Sequence, residues 1–415
     1  MKGPNLAIMA WRNLWRNARR TVITASTIAF GIMMAVIFTG VGDDSWTKTI
    51  NVAARLGGGH VTIQHPEQLE TPSAKNAIGR VKAKQATAMQ DPDVVRTVTR
   101  ITGNAMLATA RKSYGAWVIA VDPAAEDVST FSLLEAVKKG AMFGSADAHG
   151  IVLGQRLSEN LGASIGRKVV VTMTDRGGEI VSDLVRVTGI IRTGAPGLDS
   201  ALCILPLNTV RKILGYGPDE SQMVAVFLRD QRESDKVAAR LNARLGGRAT
   251  ALPWSTMQPD LRGFISMKVG GVIFFELIIL ILVAAGIFNT LFVSVMERMR
   301  EFGIMMAIGF SPSRLFRLVM WESLWLGIVG LAAAVAVTAW PYWYLHTRGV
   351  DLSFMTGGGG AEIAGVGIDL VMYVTIFPES ALNIAAAVVG ATLLSGLYPA
   401  WKAGRVVPVE SIKLV

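Results

Sequence analysis

Cysteine is nearly absent: Cys203 is the only one in 415 residues, so no disulfide can close within the chain. It sits in the apolar run ALCILPL, the setting of a small core thiol, and one thiol fits either side of a membrane. With four histidines and this one cysteine there is no cluster at metal-ligand spacing, and no metal is expected. HExxH does not occur, which removes the common zinc-protease reading. A phosphate-binding loop is missing as well. Its nearest approach, residues 162–168, carries Arg167 in place of the second glycine, with Val169 following instead of Ser or Thr. No directly bound cofactor is expected, and any energy source must be a partner. The net charge of +10 is spread among Asp and Glu as on a solvated surface, so nucleic acid is not an expected partner.

What the chain has instead is long apolar runs. The apolar fraction is 51% and the mean hydropathy +0.42, yet 17% of residues are charged. The layout explains that mixture: one long apolar segment near the N-terminus, a long soluble-looking stretch, then three apolar segments in the last third. Each is about long enough to cross a ~30 Å hydrocarbon layer. The first could also be a signal peptide, but it has full spanning length and no clear small-x-small cleavage site. The expected fold class is therefore membrane α plus extracytoplasmic α/β, with a large domain inserted between the first and second of four transmembrane helices.

The expected division is an amphipathic helix over 1–20, a first span over 21–43, the large domain over 44–268, a stalk and second span over 269–296, and a connector over 297–314. A third span over 315–341, a short loop over 342–380, a fourth span over 381–399 and a tail over 400–415 complete it. Lys2, Arg12, Arg16, Arg19 and Arg20 precede the first span without an acid. Arg298, Arg300, Arg314 and Arg317 lie between spans two and three, and Lys402, Arg405 and Lys413 follow span four. The loop between spans three and four has Arg348 against Asp351, Glu362, Asp369 and Glu379. The positive-inside rule then places both termini in the cytoplasm and the large domain outside. Trp340, Tyr342, Trp343 and Tyr344 gather where the third span should leave the bilayer.

Residues 5–20 read as one helix with Ala7, Trp11, Leu14 and Ala18 on one face and Arg12, Arg16 and Arg19 off it. Trp11 and Trp15 suit a helix lying in the headgroup layer, against membrane lipids; a plain positive flank that sets topology is the alternative. The large domain shows strand-like runs at 60–64, 116–121, 168–172, 184–191 and 223–228, a helix at 233–245, and a short hairpin connection at Thr174 to Gly178. Glu276, just before the second span, suits either the outer headgroups or a functional site in hydrocarbon. Asn289, deeper in that span, suits a hydrogen bond across helices. The run Gly357 to Gly360 reads as a flexible loop.

The stretch ERMREFGIMMAIGFSPSRL, Glu297 to Leu315, resembles the signature of type VII ABC permeases, the group that holds macrolide exporters, lipoprotein-releasing (Lol-type) permeases and FtsX-type proteins. Glu297, Arg298, Arg300, Glu301, Gly303, Ala307 and Gly309 match its charged run and its following Gly and Ala-x-Gly. The ending with Tyr398, Pro399, Ala400, Ala403, Pro408 and Glu410 resembles the group's tail. In the large domain, Val118 to Pro123, the run IVLGQRLSENLGASIGRKVVV, and Trp254, Pro259 and Leu261 carry the likeness further, with Ala120 and Pro253 departing from the pattern. It is most similar to the Lol type.

That resemblance implies a porter-like subdomain plus a second subdomain outside, no ATPase activity in this chain, and ATP with Mg at a partner ABC ATPase dimer. It implies a cytoplasmic helix in which Glu297, Arg298, Arg300 and Glu301 dock by charge while Met299, Phe302, Met305 and Met306 add apolar contact. A second permease copy or paralogue would complete a dimer in the bacterial inner membrane, with a cargo cavity lined by spans one and two: Phe30, Met34, Phe275, Glu276 and Asn289. Cargo of the Lol type is a lipoprotein, passed to a periplasmic chaperone captured by a Pro-containing hook. Here the corresponding connection, 174–183, is short and lacks Pro, which puts the chaperone in doubt. The group also offers an exporter of small molecules or peptides and an FtsX-like regulator of periplasmic hydrolases.

Overall fold

The computed structural model describes residues 5–405 except 147, 247–248, 352–360, 364–365 and 369–370. The glycine run at 357–360 and the tail residues Pro408, Glu410 and Lys413 fall outside that description, as does Lys2. The described chain forms two compact units: 1–45, 266–350 and 371–415 make one, and 46–265 with 351–370 the other.

The first unit is a helical bundle. Helix α1 (Leu6–Arg16) is followed directly by α2 (Ala18–Leu56), so the single helix expected over 5–20 is broken. The break is Asn17, whose backbone leaves the helical region while Thr21 Oγ1 donates back to Leu14 O at 2.5 Å. Among the described residues four helices are long and apolar enough to cross a membrane: α2 and, numbered after the six short helices of the other unit, α9 (Pro259–Glu297), α11 (Pro312–Thr347) and α12 (Pro378–Gly404). A 39-residue helix such as α2 or α9 is about 58 Å long. That is roughly twice the hydrocarbon thickness, so each continues well past its expected span. The expected domain start at residue 44 and the stalk start at 269 both fall inside these helices. Likewise α11 runs to Thr347, so the aromatic group at 340–344 is helical, with Trp340 and Trp343 exposed.

Ile28, Ile32 and Ala35 of α2 pack with Val283, Ile287 and Leu291 of α9, and with Leu326, Ala334, Ile384 and Val388 of α11 and α12. Close approach needs small residues at the crossings. A methyl group at Gly330 would come within 2.6 Å of Ile28 Cγ2, so only glycine lets α11 sit against α2 there. Polar links join the same helices: Thr24 Oγ1 to Thr290 Oγ1 at 3.0 Å, and Ser395 Oγ donating to Ala284 O at 3.0 Å. Asp43 Oδ2 accepts from Phe377 N at 3.1 Å, capping the start of α12.

The second unit is α/β. Its strands are β1 (Val61–Gln64), β2 (Ile78–Gly79), β3 (Val94–Ala108), β4 (Ser113–Val121), β5 (Val137–Gly140), β6 (Gly150–Gly154), β7 (Lys168–Thr174), β8 (Ile180–Ile191), β9 (Leu202–Pro206), β10 (Glu220–Ser221), β11 (Met223–Leu228) and β12 (Thr250–Pro253). Its helices are α3 (Val81–Met89), α4 (Gln155–Leu161), α5 (Pro196–Ala201), α6 (Leu207–Leu214), α7 (Ser234–Arg244) and α8 (Trp254–Met257). The main sheet runs β12-β1-β11-β3-β4-β9-β6-β8-β5, with β7 pairing β3 and β8. The long β3 belongs to two layers: its first half packs with β1, β11, α3 and α7, its second with β4, β6 to β9, α4 and α6. The connection expected at 174–178 is the β7–β8 hairpin, with Asp175 Oδ1 accepting from Gly177 N and Glu179 N.

Arg100 lies at the centre of this unit with a fully buried side chain. Its Nε and Nη2 donate to Glu126 at 2.8 and 3.0 Å, Nη2 to Thr130 O, and Nη1 to Arg55 O and Gly57 O. The guanidinium lies 5.1 Å from the Phe131 ring centre and 5.6 Å from that of Phe227. It thus takes up the orphan carbonyls at the C-terminal end of α2. Nearby His60 Nε2 meets Asn51 Oδ1 at 2.9 Å while Nδ1 accepts from Leu228 N. Burial, with a smaller push from Arg55, lowers the His60 pKa to about 4 against the pull of Asp230. A neutral ring fits both bonds.

Candidate coupling site at the arginine-rich end of the bundle

Between α9 and α11 stands the short helix α10 (Met299–Ala307). Arg298 leaves the helical backbone and breaks α9 from α10. Gly309, at φ +105°, lets Gly309 N and Phe310 N bond back to Met306 O and Met305 O, and α11 then starts on Pro312. The expected connector at 297–314 is therefore one capped nine-residue helix with a turn on either side.

Its charges are largely spent inside the chain. Arg20 Nη2 donates to both oxygens of Glu297 at 2.7 Å, and Arg16 Nη2 to both oxygens of Glu301 at 2.8 and 2.9 Å. Arg298 donates Nε to Glu301 at 3.1 Å and Nη1 to Glu322 at 2.9 Å, with its guanidinium 5.1 Å from the Phe302 ring centre. Glu322, buried in α11, also accepts from Asn13 Nδ2 at 2.8 Å. These residues surround a cavity of about 270 Å³. Burial works against the ionised form of Glu301, but the hydrogen bonds from Arg16 and Arg298 outweigh it and hold its pKa below the usual carboxylate value. Trp325 Nε1 donates to Ala7 O at 3.0 Å and its ring meets Trp11, which seats α1 along α11.

Two expectations need correction. Phe302 is not available for apolar docking: it is fully buried with Val295, Leu315, Val319, Ala400 and Ala403, and Gly303 is buried beside it. An aromatic ring in a short connector must find a core, and the adjoining spans supply one. Met306 is half-buried against the same cluster, while Ala307 and Gly309 are exposed. The apolar surface that α10 and its turn do present is Ile304 and Ile308, which the sequence reading did not select. Arg300, one turn before Ile304, is exposed and makes no ion pair among the described residues. Asn289 is the second correction. It is exposed on α9 with no hydrogen bond among the described residues, and the neighbouring Thr290 makes the link across helices.

The remaining candidates fall on α2 and α9. Phe30 and Phe275 are exposed and Met34 is half-buried. Phe275 stacks on Phe38 at 6.0 Å, and Glu276 accepts from the buried Thr39 hydroxyl one residue on. Trp11 and Trp15 keep 39% and 43% of their surface exposed, so both retain a face for an interfacial role. Glu322 and Asn13 went unselected in the sequence. The available signal was a lone carboxylate in the otherwise apolar run of α11.

The description "MacB-like periplasmic core domain" matches residues 21–244, over half of the chain, and "FtsX-like permease C-terminal" matches 273–408. The lipoprotein-releasing system transmembrane protein LolC of Xylella fastidiosa (strain 9a5c) is 25% identical over 79% of this chain and 80% of its own. The macrolide export ATP-binding/permease protein MacB of Hyphomonas neptunium is 25% identical over 97% of this chain, which spans 60% of that relative's length. Among solved structures, the periplasmic region of MacB from Actinobacillus actinomycetemcomitans aligns with 49% of this chain at 14% identity and a TM-score of 0.34.

Proposed function

The chain belongs to the MacB/FtsX-like family of ABC transporter permeases, multi-pass membrane proteins with a periplasmic domain, and we propose that it drives lipoprotein release from the inner membrane with the ATPase activity of a partner. In this reading the chain hydrolyses nothing. ATP and Mg are bound by a cytoplasmic ABC ATPase dimer, and a second permease copy or paralogue completes the assembly. Both termini and α10 face the cytoplasm, as the arginine distribution favours.

The observation that carries the proposal is the surface of α10. Arg300, Ile304 and Ile308 stay exposed while the flanking charges are locked to α1 and α11. Such an element can take a push on its free face and pass it through ion pairs to α1, and through covalent continuity to α9. Being one unbroken helix over 39 residues, α9 can shift as a rigid rod. On the membrane side, Phe30, Met34, Phe38 and Phe275 give α2 and α9 an apolar wall suited to acyl chains, with Glu276 and Thr39 at its edge. The likeness to LolC, spread over 79% of this chain, favours lipoproteins as cargo.

Depletion followed by membrane fractionation tests the cargo: lipoproteins stranded in the inner membrane are the expected outcome. Normal sorting with raised drug or peptide sensitivity would replace this reading with the exporter one, which the likeness to MacB over 97% of the chain favours. Arg300→Glu together with Ile308→Asp should abolish ATPase co-purification while leaving membrane insertion intact.

A further inference from the structure

The α/β unit holds a cavity of about 440 Å³ lined by residues of β1, β3, β4, β7, β11 and α8, none of them charged. Gln64, at the end of β1, lines it with a side chain only 1% exposed, and its Nε2 has no hydrogen-bond partner among the described residues. A buried donor without an acceptor is costly, and Nε2 is sealed as it stands, so the side chain must turn for the cavity to offer it an oxygen.

The wall beside Gln64 is an interrupted strand edge. Thr109 N, at the β3–β4 turn, donates to Lys112 O, so odd-numbered residues of β3 bond towards β4 and even-numbered ones towards the opposite edge. On that opposite edge β11 pairs with β3 only up to Arg100, and β7 pairs only from Met106 onwards. Side chains fill the first part of the gap: Ser221 Oγ donates to Arg100 O at 3.0 Å, and Gln222 Oε1 accepts from Thr102 N at 2.8 Å. The second part is open. Asn104 is exposed, and by alternation its N–H and C=O point into the gap with no strand beside them. Met173, Met223, Met257 and Trp117 supply adaptable apolar walls around it.

We propose that this gap is a receptor site for an extended, uncharged polypeptide segment, held by strand addition to β3 at Asn104. A peptide carbonyl accepts from Asn104 N–H and the next N–H donates to Asn104 C=O. A carbonyl further along accepts from Gln64 Nε2, and apolar side chains enter between the methionines. A strand edge supplies donors and acceptors in alternation, which a peptide backbone matches and a lipid ester, having acceptors alone, does not. The absence of charged lining residues disfavours an ionised segment. This site stands apart from the coupling proposal and does not depend on the cargo.

Full-length chain in phosphatidylcholine nanodiscs should bind fluorescein-labelled, end-capped hexapeptides that alternate threonine with valine or serine with leucine, read by fluorescence anisotropy. Saturable binding is expected, reduced at least about tenfold when alternate peptide nitrogens are methylated. Gln64→Leu should weaken binding about tenfold while leaving the unfolding midpoint unchanged or higher, because the buried Nε2 it removes has no partner among the described residues. No saturable binding by any of these peptides would overturn the proposal. So would equal binding of the methylated series, unchanged affinity in Gln64→Leu, or displacement of the probe by monoacylglycerol and not by unlabelled peptide. The methylated series keeps the test decisive if Gln64→Leu does not fold.

Discussion

Arg100 in the α/β unit and Arg298 at the end of the bundle do the same chemistry to different ends. Each donates to carboxylates and lies about 5.1 Å from a phenylalanine ring centre. Arg100 is sealed, with every partner buried or on backbone, so nothing in its surroundings can exchange without unfolding. Arg298 keeps 11% of its side chain exposed, and the network around it opens progressively: Glu322 is buried, Glu301 half-exposed, and the outlying Arg16 more exposed still. One network fixes the end of α2; the other ties three helices together through bonds of graded strength. A joint that must hold shape and a joint that must yield are thus distinguishable by solvent access alone.

The largest effect should come from breaking the sealed network. Glu126→Gln leaves the Arg100 charge buried against a neutral amide, and loss of a buried partner typically costs about 3–5 kcal/mol. Denaturant unfolding of the full chain should show the α/β transition destabilised by that order, with the helical signal of the bundle retained. Next comes His60. Its pKa falls from about 6.5 in the unfolded chain to about 4 in the fold, so the folded state refuses a proton that the unfolded state accepts. Its contribution is complete above pH 6.5 and disappears as the pH drops towards 4, amounting to at most about 3 kcal/mol. The α/β unit should lose stability across that window, and His60→Gln should flatten the pH dependence there.

At the other arginine the expected losses are smaller. Glu322→Gln keeps the Asn13 and Arg298 contacts in shape but removes the charge, and Arg298 retains Glu301, so about 1–3 kcal/mol is lost. The diagnostic readout is α1: hydrogen exchange over residues 6–16 should accelerate, because Asn13 loses a charged acceptor while Trp325 still holds Ala7. Unchanged exchange in α1 would mean that Glu322 does not anchor it.

These networks also mark where the sequence could and could not be read. The four apolar helices, the strand Met223–Leu228 and the hairpin connection at Thr174 to Gly178 follow from patterns local to the chain: run length, alternation and a glycine-bearing turn between two strand-like runs. Glu322 joins Asn13 across 309 positions and Glu301 joins Arg16 across 285, and no local pattern encodes such pairings. Phe302 was assigned to the surface because a charged connector looks solvated; its burial depends on Leu315 and Ala400 arriving from two other helices. The gap in β3 was equally hidden, since only the full pairing register shows that β11 stops at Arg100 and β7 starts at Met106.

The smallest effect on stability should carry the largest effect on coupling. Arg16 and Glu301 are both about half exposed, so their pair contributes no more than about 1 kcal/mol and weakens further with salt. Arg16→Glu should therefore leave the unfolding midpoint nearly unchanged, yet it sets two like charges face to face between α1 and α10. If α10 passes motion to α1 through this pair, ATP hydrolysis by the reconstituted complex should continue while transport falls. The double exchange Arg16→Glu with Glu301→Arg should restore transport, because it rebuilds the pair with reversed sign, although Glu301→Arg also sets a second cation beside Arg298 and makes the rescue partial. Arg300→Glu, on the free face, should not be rescued by any change in α1. A swap that restores nothing would assign Arg16 and Glu301 to surface solvation, and the contrast between a sealed joint and a yielding one would then rest on Glu322 alone.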